Sequence, residues 1–313
     1  MTETRPTIEA APPRQVAPVA LGAATLAVVA WSFGPIFVRE VGASTPTVVF
    51  WRMWCAQPVM FAVAYITGGR MSMALLRRCV VPGALFAASL ATSFASFQHT
   101  SIANATLIGA LQPALILVVA PRMFGDRSSR SQIALATLAF VGMSIVVLGA
   151  GKTSGASWLG DLYALANLGL WTVYFIRVKR VRNDGVHAAA FLAGVFFIAA
   201  LTVTPWALLI SDDLGTLGFR GFGFVMLMVL GPGVLGHGSM TWAQRHLDIT
   251  VASLITLLQP VIATVLAWWI FGESLRAVQI VGAAIVLTAI GGIVRQTRRM
   301  VPAAEDGLSV VAD

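Results

Sequence analysis

Residues 105–125 read ATLIGALQPALILVVAPRMFG, and residues 252–272 read ASLITLLQPVIATVLAWWIFG. Laid over one another at an offset of 147 residues, they match Ala105 with Ala252, Leu107-Ile108 with Leu254-Ile255, and Gln112-Pro113 with Gln259-Pro260. Phe124-Gly125 falls on Phe271-Gly272, and the match extends from His99 over His246 to Gln132-Ile133 over Gln279-Ile280. Between Gln98–Val147 and Arg245–Val294 roughly a third of positions agree, gathered in motifs rather than scattered leucines. The openings of the two halves align at a second offset, 140: Trp31-Ser32 with Trp171-Thr172, then Ile36, Val38 and Arg39 with Ile176, Val178 and Lys179. The chain is a tandem repeat.

Composition sets the solvent. Hydrophobic residues make up 58% of the 313 and charged ones 11%, with a mean hydropathy of +0.83. So few charges cannot cover a water-soluble domain of this length. The apolar runs are each about 20 residues, enough to cross a bilayer's hydrocarbon. They read as ten spans, near 18–38, 46–67, 79–98, 101–121, 131–150, 157–176, 187–210, 221–241, 249–271 and 276–294. The organisation expected is a disordered tail over 1–17, a five-span repeat over 18–150, a second over 157–294, and a tail over 295–313. The first tail, with Pro6, Pro12 and Pro13, is too polar for a cleaved signal peptide. Cys55 and Cys79 lie in or beside spans and read as small core residues, outside any disulfide or metal framework.

The net charge of +8 is unevenly spread. With the N-terminus inside, sixteen of the 21 Lys and Arg fall in inside segments, among them Arg77, Arg78, Arg180, Arg182 and Arg245. The outside loops keep Arg39, Lys152, Arg220 and Arg276, and Arg52 is left within a span. That positive-inside bias predicts a multi-pass protein of the cell membrane with both termini cytoplasmic. It accounts for the basic balance without nucleic acid. The partners expected are the lipid bilayer and a small molecule.

An odd number of spans per repeat makes the second copy enter the bilayer from the opposite side, the inverted symmetry on which many membrane transporters are built. Here the residues resemble a known family, the drug/metabolite transporter superfamily in its ten-span EamA-type branch. The resemblance is carried by Trp31-Ser32-Phe33-Gly34, Arg52, the two Gln-Pro pairs, Phe124-Gly125-Asp126 and Phe271-Gly272-Glu273, with Gln132 and Gln279 beyond. It implies an all-α integral membrane fold, ten transmembrane helices as two inverted five-helix repeats around a central cavity. It also implies movement of small metabolites, often amino acids and often outward. The halves differ where Trp171-Thr172-Val173-Tyr174 replaces the glycine-containing opening and Leu192 stands opposite Arg52.

Candidate working residues follow from what a membrane interior tolerates. Every Asp and Glu lies in a tail, a loop or a span edge, so a carboxylate proton relay is not encoded. Arg52 has two readings: a fork for a substrate carboxylate, or a structural side chain that snorkels to the headgroups or pairs with Glu40. Pro113 and Pro260 each remove a backbone donor in mid-span, and Gln112 and Gln259 set an amide beside each kink. The freed carbonyls are tolerable against protein or a watery cavity. Gly231-Pro232-Gly233, ahead of Gly236-His237-Gly238, makes the eighth span the least helical and the natural moving part. His237 is the one group titrating near neutrality that falls deep in the membrane. Trp31, Trp171, Tyr174, Asn104 and Asn167 complete the candidate lining. No cofactor or metal site is read; His99 and His246 fall at opposite faces.

These features favour a secondary transporter of a small metabolite, such as an exported amino acid, working by alternating access. A membrane enzyme would need His, Asp, Glu or Cys clustered near one face. A channel would show a ring of like charges or a filter loop. Neither pattern is present in the sequence.

Overall fold

The computed structural model describes residues 17–100, 102–124, 129–149, 157–271 and 276–299. Residues 1–16 and 300–313 of the two tails, and the Asp126, Lys152 and Glu273 loops of the sequence reading, lie outside these residues, while Ala17 and residues 295–299 belong to helices. All regular structure among the described residues is helical. In the first half α1 (Ala17–Ser32) and α2 (Gly34–Val41) form one broken rod, followed by α3 (Thr45–Ile66) and α4 (Met73–His99). A second broken rod, α5 (Ile102–Gly109) and α6 (Gln112–Phe124), precedes α7 (Arg130–Gly149). The second half repeats the plan with α8 (Trp158–Asn183), α9 (Ala188–Ile210), and α10 (Phe219–Met228) joined to α11 (Gly238–His246) through a π-helical segment, Val229–His237. It ends with α12 (Ile249–Ile255), a 3₁₀ turn, α13 (Gln259–Phe271) and α14 (Ala277–Arg299).

Among the described residues seven stretches are long and apolar enough to cross a membrane, where the sequence predicted ten spans. The other three expected spans appear as shorter apolar helices, Gln112–Phe124, Arg130–Val146 and Ile249–Ala263. Gln112–Phe124 is short because the break ahead of Gln112-Pro113 divides its rod. The first span also breaks, which the sequence reading missed. Phe33 is a turn residue between α1 and α2, because Pro35 has no N–H and its ring crowds the carbonyl four residues back. The opening rod of each half stops on a left-handed glycine, Gly42 at φ 67° after α2 and Gly185 at φ 77° just past α8. A Cβ would strain either position.

Elements that correspond in the repeat pack on one another, α7 on α14 and α3 on α9, and α6 packs on α12, the counterpart of α5. The α7–α14 crossing is close because it is built on small residues. A Cβ on Gly282 would sit 2.7 Å from the Gly142 carbonyl oxygen. Two hydrophobic cores result, and each draws on both halves. One gathers Val28, Met143, Leu254 and Val286, the other Met53, Phe86, Phe196 and Met228. Trp171 packs against both. The outer skin is apolar as well, with Leu209 and Phe219 84% and 97% exposed, as lipid-facing helices require.

At the end where α2 stops and α3 begins, Asp213 ties the halves. Its carboxylate accepts from the Ser44 N–H and the Ser44 hydroxyl, both at 2.6 Å, from Ser211 at 2.9 Å, and from Thr47. It thereby satisfies the N-terminus of α3, an orphan-donor position. Partial burial alone would raise its pKa, but the hydrogen bonds from Ser44, Thr47 and Ser211 outweigh burial and hold the carboxyl below its ordinary 3.8. A depressed carboxylate stabilises the fold fully above its unfolded pKa, and that contribution is lost as pH falls through the lowered folded value. Asp213→Asn is therefore expected to melt at a lower temperature than the parent at pH 7. The gap should close below about pH 4, the unfolded carboxylate range. A gap independent of pH would show that charge is not what the clamp uses.

Candidate functional site

Every interruption of a helix opens onto one place. A central cavity of about 180 Å³ lies between the two cores. Its wall takes Gly34 and Pro35 from the α1–α2 break, Gly109, Ala110 and Gln112 from the α5–α6 break, Pro232 and His237 from the π segment, and Thr256, Gln259 and Pro260 from the 3₁₀ break. At Pro113 the chain turns through Ala110 and Leu111, whose N–H groups bond back to Thr106 and Ile108. At Pro260 the turn is the 3₁₀ stretch Thr256–Leu258. Main chain with incomplete hydrogen bonding is costly against lipid and tolerable against a polar hollow. The cavity is thus a requirement of the broken rods as well as a consequence of them.

Its electrostatic centre is Arg52. The side chain is 3% exposed, Nε has no hydrogen-bond partner, and the guanidinium carbon stands 5.3 Å from the centroid of the Phe94 ring. Arg52 is buried, and Glu40 pairs with Arg220 at 2.5 Å. Gln112 Nε2 is likewise buried without a partner. Two donors thus stand unused in one hollow, and unpartnered buried donors are destabilising unless something accepts from them.

The opposite wall is aromatic. Trp31 meets Trp171 edge-on at 5.6 Å between ring centroids, and His237 lies 5.1 Å from Trp31 and 5.7 Å from Trp171. Phe86 and Phe196 close the imidazole in from behind, at 4.8 and 5.9 Å. The Trp31 indole N–H donates to the Pro232 carbonyl at 3.2 Å, which locks α1 onto the π segment. Asn167 is held by the Ser89 hydroxyl at 2.8 Å.

Trp31, Arg52, Gln112, Asn167, Trp171, His237 and Gln259 of the sequence candidates all line this cavity, with Pro232 and Pro260. Tyr174 stands behind the wall, 5.1 Å from both Trp171 and Phe86. Pro113 is buried beside Gln112, and Gly231 and Gly233 lie within the π segment away from the lining. The Asn104 side chain is outside the described residues. The contribution of α4 was missed: Ser89, Ser93 and Phe97 line the cavity at four-residue spacing, with Leu90 and Phe94 beside them. A small-polar stripe at i, i+4 in an apolar helix was the available signal.

These features define a polytopic helical membrane protein with a ligand-sized hollow at the centre of its bundle. The chain belongs to the EamA-like transporter family, which matches it over residues 19–148 and 158–295. Among its relatives, an uncharacterized transporter, YyaM of Bacillus subtilis (strain 168), is 24% identical over 260 residues, 78% of this chain and 84% of that protein. The pseudopaline exporter CntI of Pseudomonas aeruginosa (strain UCBPP-PA14) is 22% identical over 271 residues, 85% and 92% of the two chains. A solved crystal structure superposes with a TM-score of 0.75 at 18% identity, covering 90% of this chain and 99% of its own, a likeness of fold.

The contact between α1 and the π segment can be tested by crowding it. A Cβ on Gly236 would fall 2.6 Å from Trp31 Nε1. Gly236→Ala is expected to displace the indole from Pro232 and to destabilise the protein by about 1–3 kcal/mol, the usual cost of overpacking. A Trp31→Phe replacement in the same chain should recover part of the lost melting temperature, because it removes the atom struck. Additive losses in the double variant would argue against the contact.

Proposed function

We propose that this protein is a secondary transporter that exports a small metabolite bearing a carboxylate or comparable oxyanion. In this reading Arg52 anchors the anion and Trp31 and Trp171 bracket the body of the substrate. The observation that carries it is the buried Arg52, its Nε unpartnered, in a cavity onto which every helix break opens. At about 180 Å³ the hollow is smaller than the roughly 300–1,000 Å³ of drug-sized sites, which favours a compact ligand. A guanidinium offers two parallel donors to a carboxylate. The direction outward is supported by a relative named as an exporter.

The same reading takes the chain as ten spans in two inverted repeats, 18–150 and 157–294, with both termini cytoplasmic. The arginine asymmetry supports that orientation. Alternating access would then be a rocking of the two cores about the cavity between them, with the π segment yielding. A channel reading draws no comparable support, since the described lining has neither a ring of like charges nor a filter.

The test is counterflow in proteoliposomes. Labelled amino and hydroxy acids are screened first, and the best substrate is then used with variants. Arg52→Gln is expected to reduce transport more than tenfold, the scale of one lost charge-assisted contact of about 1.5–3 kcal/mol, while keeping the melting temperature. Arg52→Lys should retain a part. Gln112→Leu should weaken transport and leave the amount of folded protein unchanged. Wild-type rates in Arg52→Gln, or a panel of substrates without any anion, would overturn the assignment.

Coupling has its own test. No carboxylate is among the described residues of the cavity wall, and His237 is the one imidazole there. If an imposed pH gradient drives transport of a substrate that does not titrate, His237→Gln is expected to abolish that drive while downhill exchange continues. Full coupling in His237→Gln would assign the proton to another group.

A further inference from the structure

A second hollow lies at the arginine-rich end of the bundle. It measures about 780 Å³ and continues along the helices that line the first. On α3 the central cavity takes Arg52 and the second takes Met60, Val63 and Thr67; on α8 the sequence runs from Trp171 to Arg182. At 1.5 Å per residue these steps place the second hollow about 12–16 Å further along the bundle axis. The π segment is the wall between the two. Pro232 and His237 face the first, while Val234 and Leu235 face the second.

The second hollow is charged on one side only. Part of that charge is structural. Lys179 donates to the carbonyls of Gln244 and Leu247 at 2.8 and 2.7 Å, and Arg182 Nε donates to Thr241 at 3.0 Å. Lys179 thus neutralises the carbonyl-rich C-terminal end of α11, and Arg182 is tied to a carbonyl in its middle. What remains has no such use. Arg182 is 3% exposed, lines the hollow, and keeps its Nη1 buried without a hydrogen-bond partner. Arg245 lines the same wall with its guanidinium near Gly185, and the His246 ring lies tilted against Trp242, 4.7 Å between centroids. No carboxylate lies in the described lining. The nearest acids are elsewhere: Asp184 pairs with Arg78 at 3.2 Å, and Asp248 heads α12. The lining also includes an apolar set, Val19, Ala23, Met60, Val63 and Leu235, contributed by other elements than the cations.

Cations gathered in a hollow repel one another unless an anion joins them, and a buried guanidinium donor left unpaired is destabilising. An apolar surface sharing a hollow with a cationic one is complementary to a molecule with an oxyanion at one end and hydrocarbon at the other. The geometry points to a second binding site at this end of the protein, taking an amphiphilic oxyanion. Its phosphate or carboxylate meets Arg182, Arg245 and His246, and its apolar body lies on Met60, Val63 and Leu235. The site is independent of Arg52. Two sources supply such chemistry, an anionic lipid of the adjoining leaflet and a soluble amphiphilic anion, and both are accessible to one experiment.

Ser239 lines the hollow and serves as a reporter. Ser239→Cys is placed in a Cys55→Ser background, Cys79 being buried. The protein is reconstituted in phosphatidylcholine nanodiscs, and maleimide labelling is timed with octyl phosphate and with octanol as the neutral comparison. In a second arm, part of the phosphatidylcholine is replaced by phosphatidylglycerol. Octyl phosphate is expected to slow labelling saturably where octanol does not. Adding Arg245→Gln should remove the protection, and adding Arg52→Gln should leave it intact, which separates this site from the central one. Protection by phosphatidylglycerol alone supports the site with lipid as its source; protection by octyl phosphate that phosphatidylglycerol does not alter supports it with a soluble source. Absence of protection in both arms, equal protection by octanol, or protection that survives Arg245→Gln would each overturn the proposal.

Discussion

A peptide group in hydrocarbon has nothing to bond to except another peptide group or a cavity. That constraint organises this structure. Four of its rods are broken or distorted, at Phe33–Pro35, Ala110–Pro113, Val229–His237 and Thr256–Pro260. All four irregularities converge on the same hollow. At these four places the freed main-chain groups face a polar interior instead of lipid. The prolines inside otherwise continuous helices, Pro58, Pro82, Pro121 and Pro205, lie away from it.

The convergence also explains how so polar a residue as Arg52 is accommodated. A buried guanidinium is costly anywhere in a membrane, and a carboxylate partner would offset that by closing the charge off. Here the nearby acid is engaged by Arg220, and Arg52 has the face of Phe94 instead. A ring quadrupole compensates only in part. The remaining attraction is available to whatever enters the cavity. The amide of Gln112, also unpartnered, adds to it. Binding capacity arises because the fold leaves donors unsatisfied that it could have paired.

Much of this was legible in the residues. The Gln-Pro steps, the glycine-rich eighth span and the single arginine within a span each violate a local rule for membrane helices, and a violation is readable without knowing the neighbours. The all-helical class followed from composition, and the paired halves from the repeat. The first-span break was missed because Gly34-Pro35 lies near the span's end, where proline reads as an ordinary terminus. The share of α4 was missed because Ser89 and Ser93 are permitted anywhere in a membrane helix; only packing against Asn167 and Arg52 gives them a role. Arg182 was counted among the topological charges, and its burial against α11 depends on a contact between helices that the sequence does not reveal. Long-range partners, rather than local conformation, are what the chain conceals.

The two halves share a plan but divide the work. At the positions related by the repeat, the first half carries Arg52 and the second Leu192, while the π segment with His237 occupies the span whose counterpart, α4, is an unbroken helix. A symmetric molecule would present two cations and two soft helices, and like charges at close range in one hollow would repel. Dividing the roles places one fixed charge on a straight helix and one deformable segment opposite it. The Trp31 indole holds that segment through the Pro232 carbonyl, and Gly236 fits beneath the ring with no room for a Cβ. Motion of the segment therefore has to break a specific contact made by α1, which itself carries the break at Phe33. The symmetry fixes where the cavity lies, and its local violation gives one wall of the cavity a π-helical segment that the other half lacks.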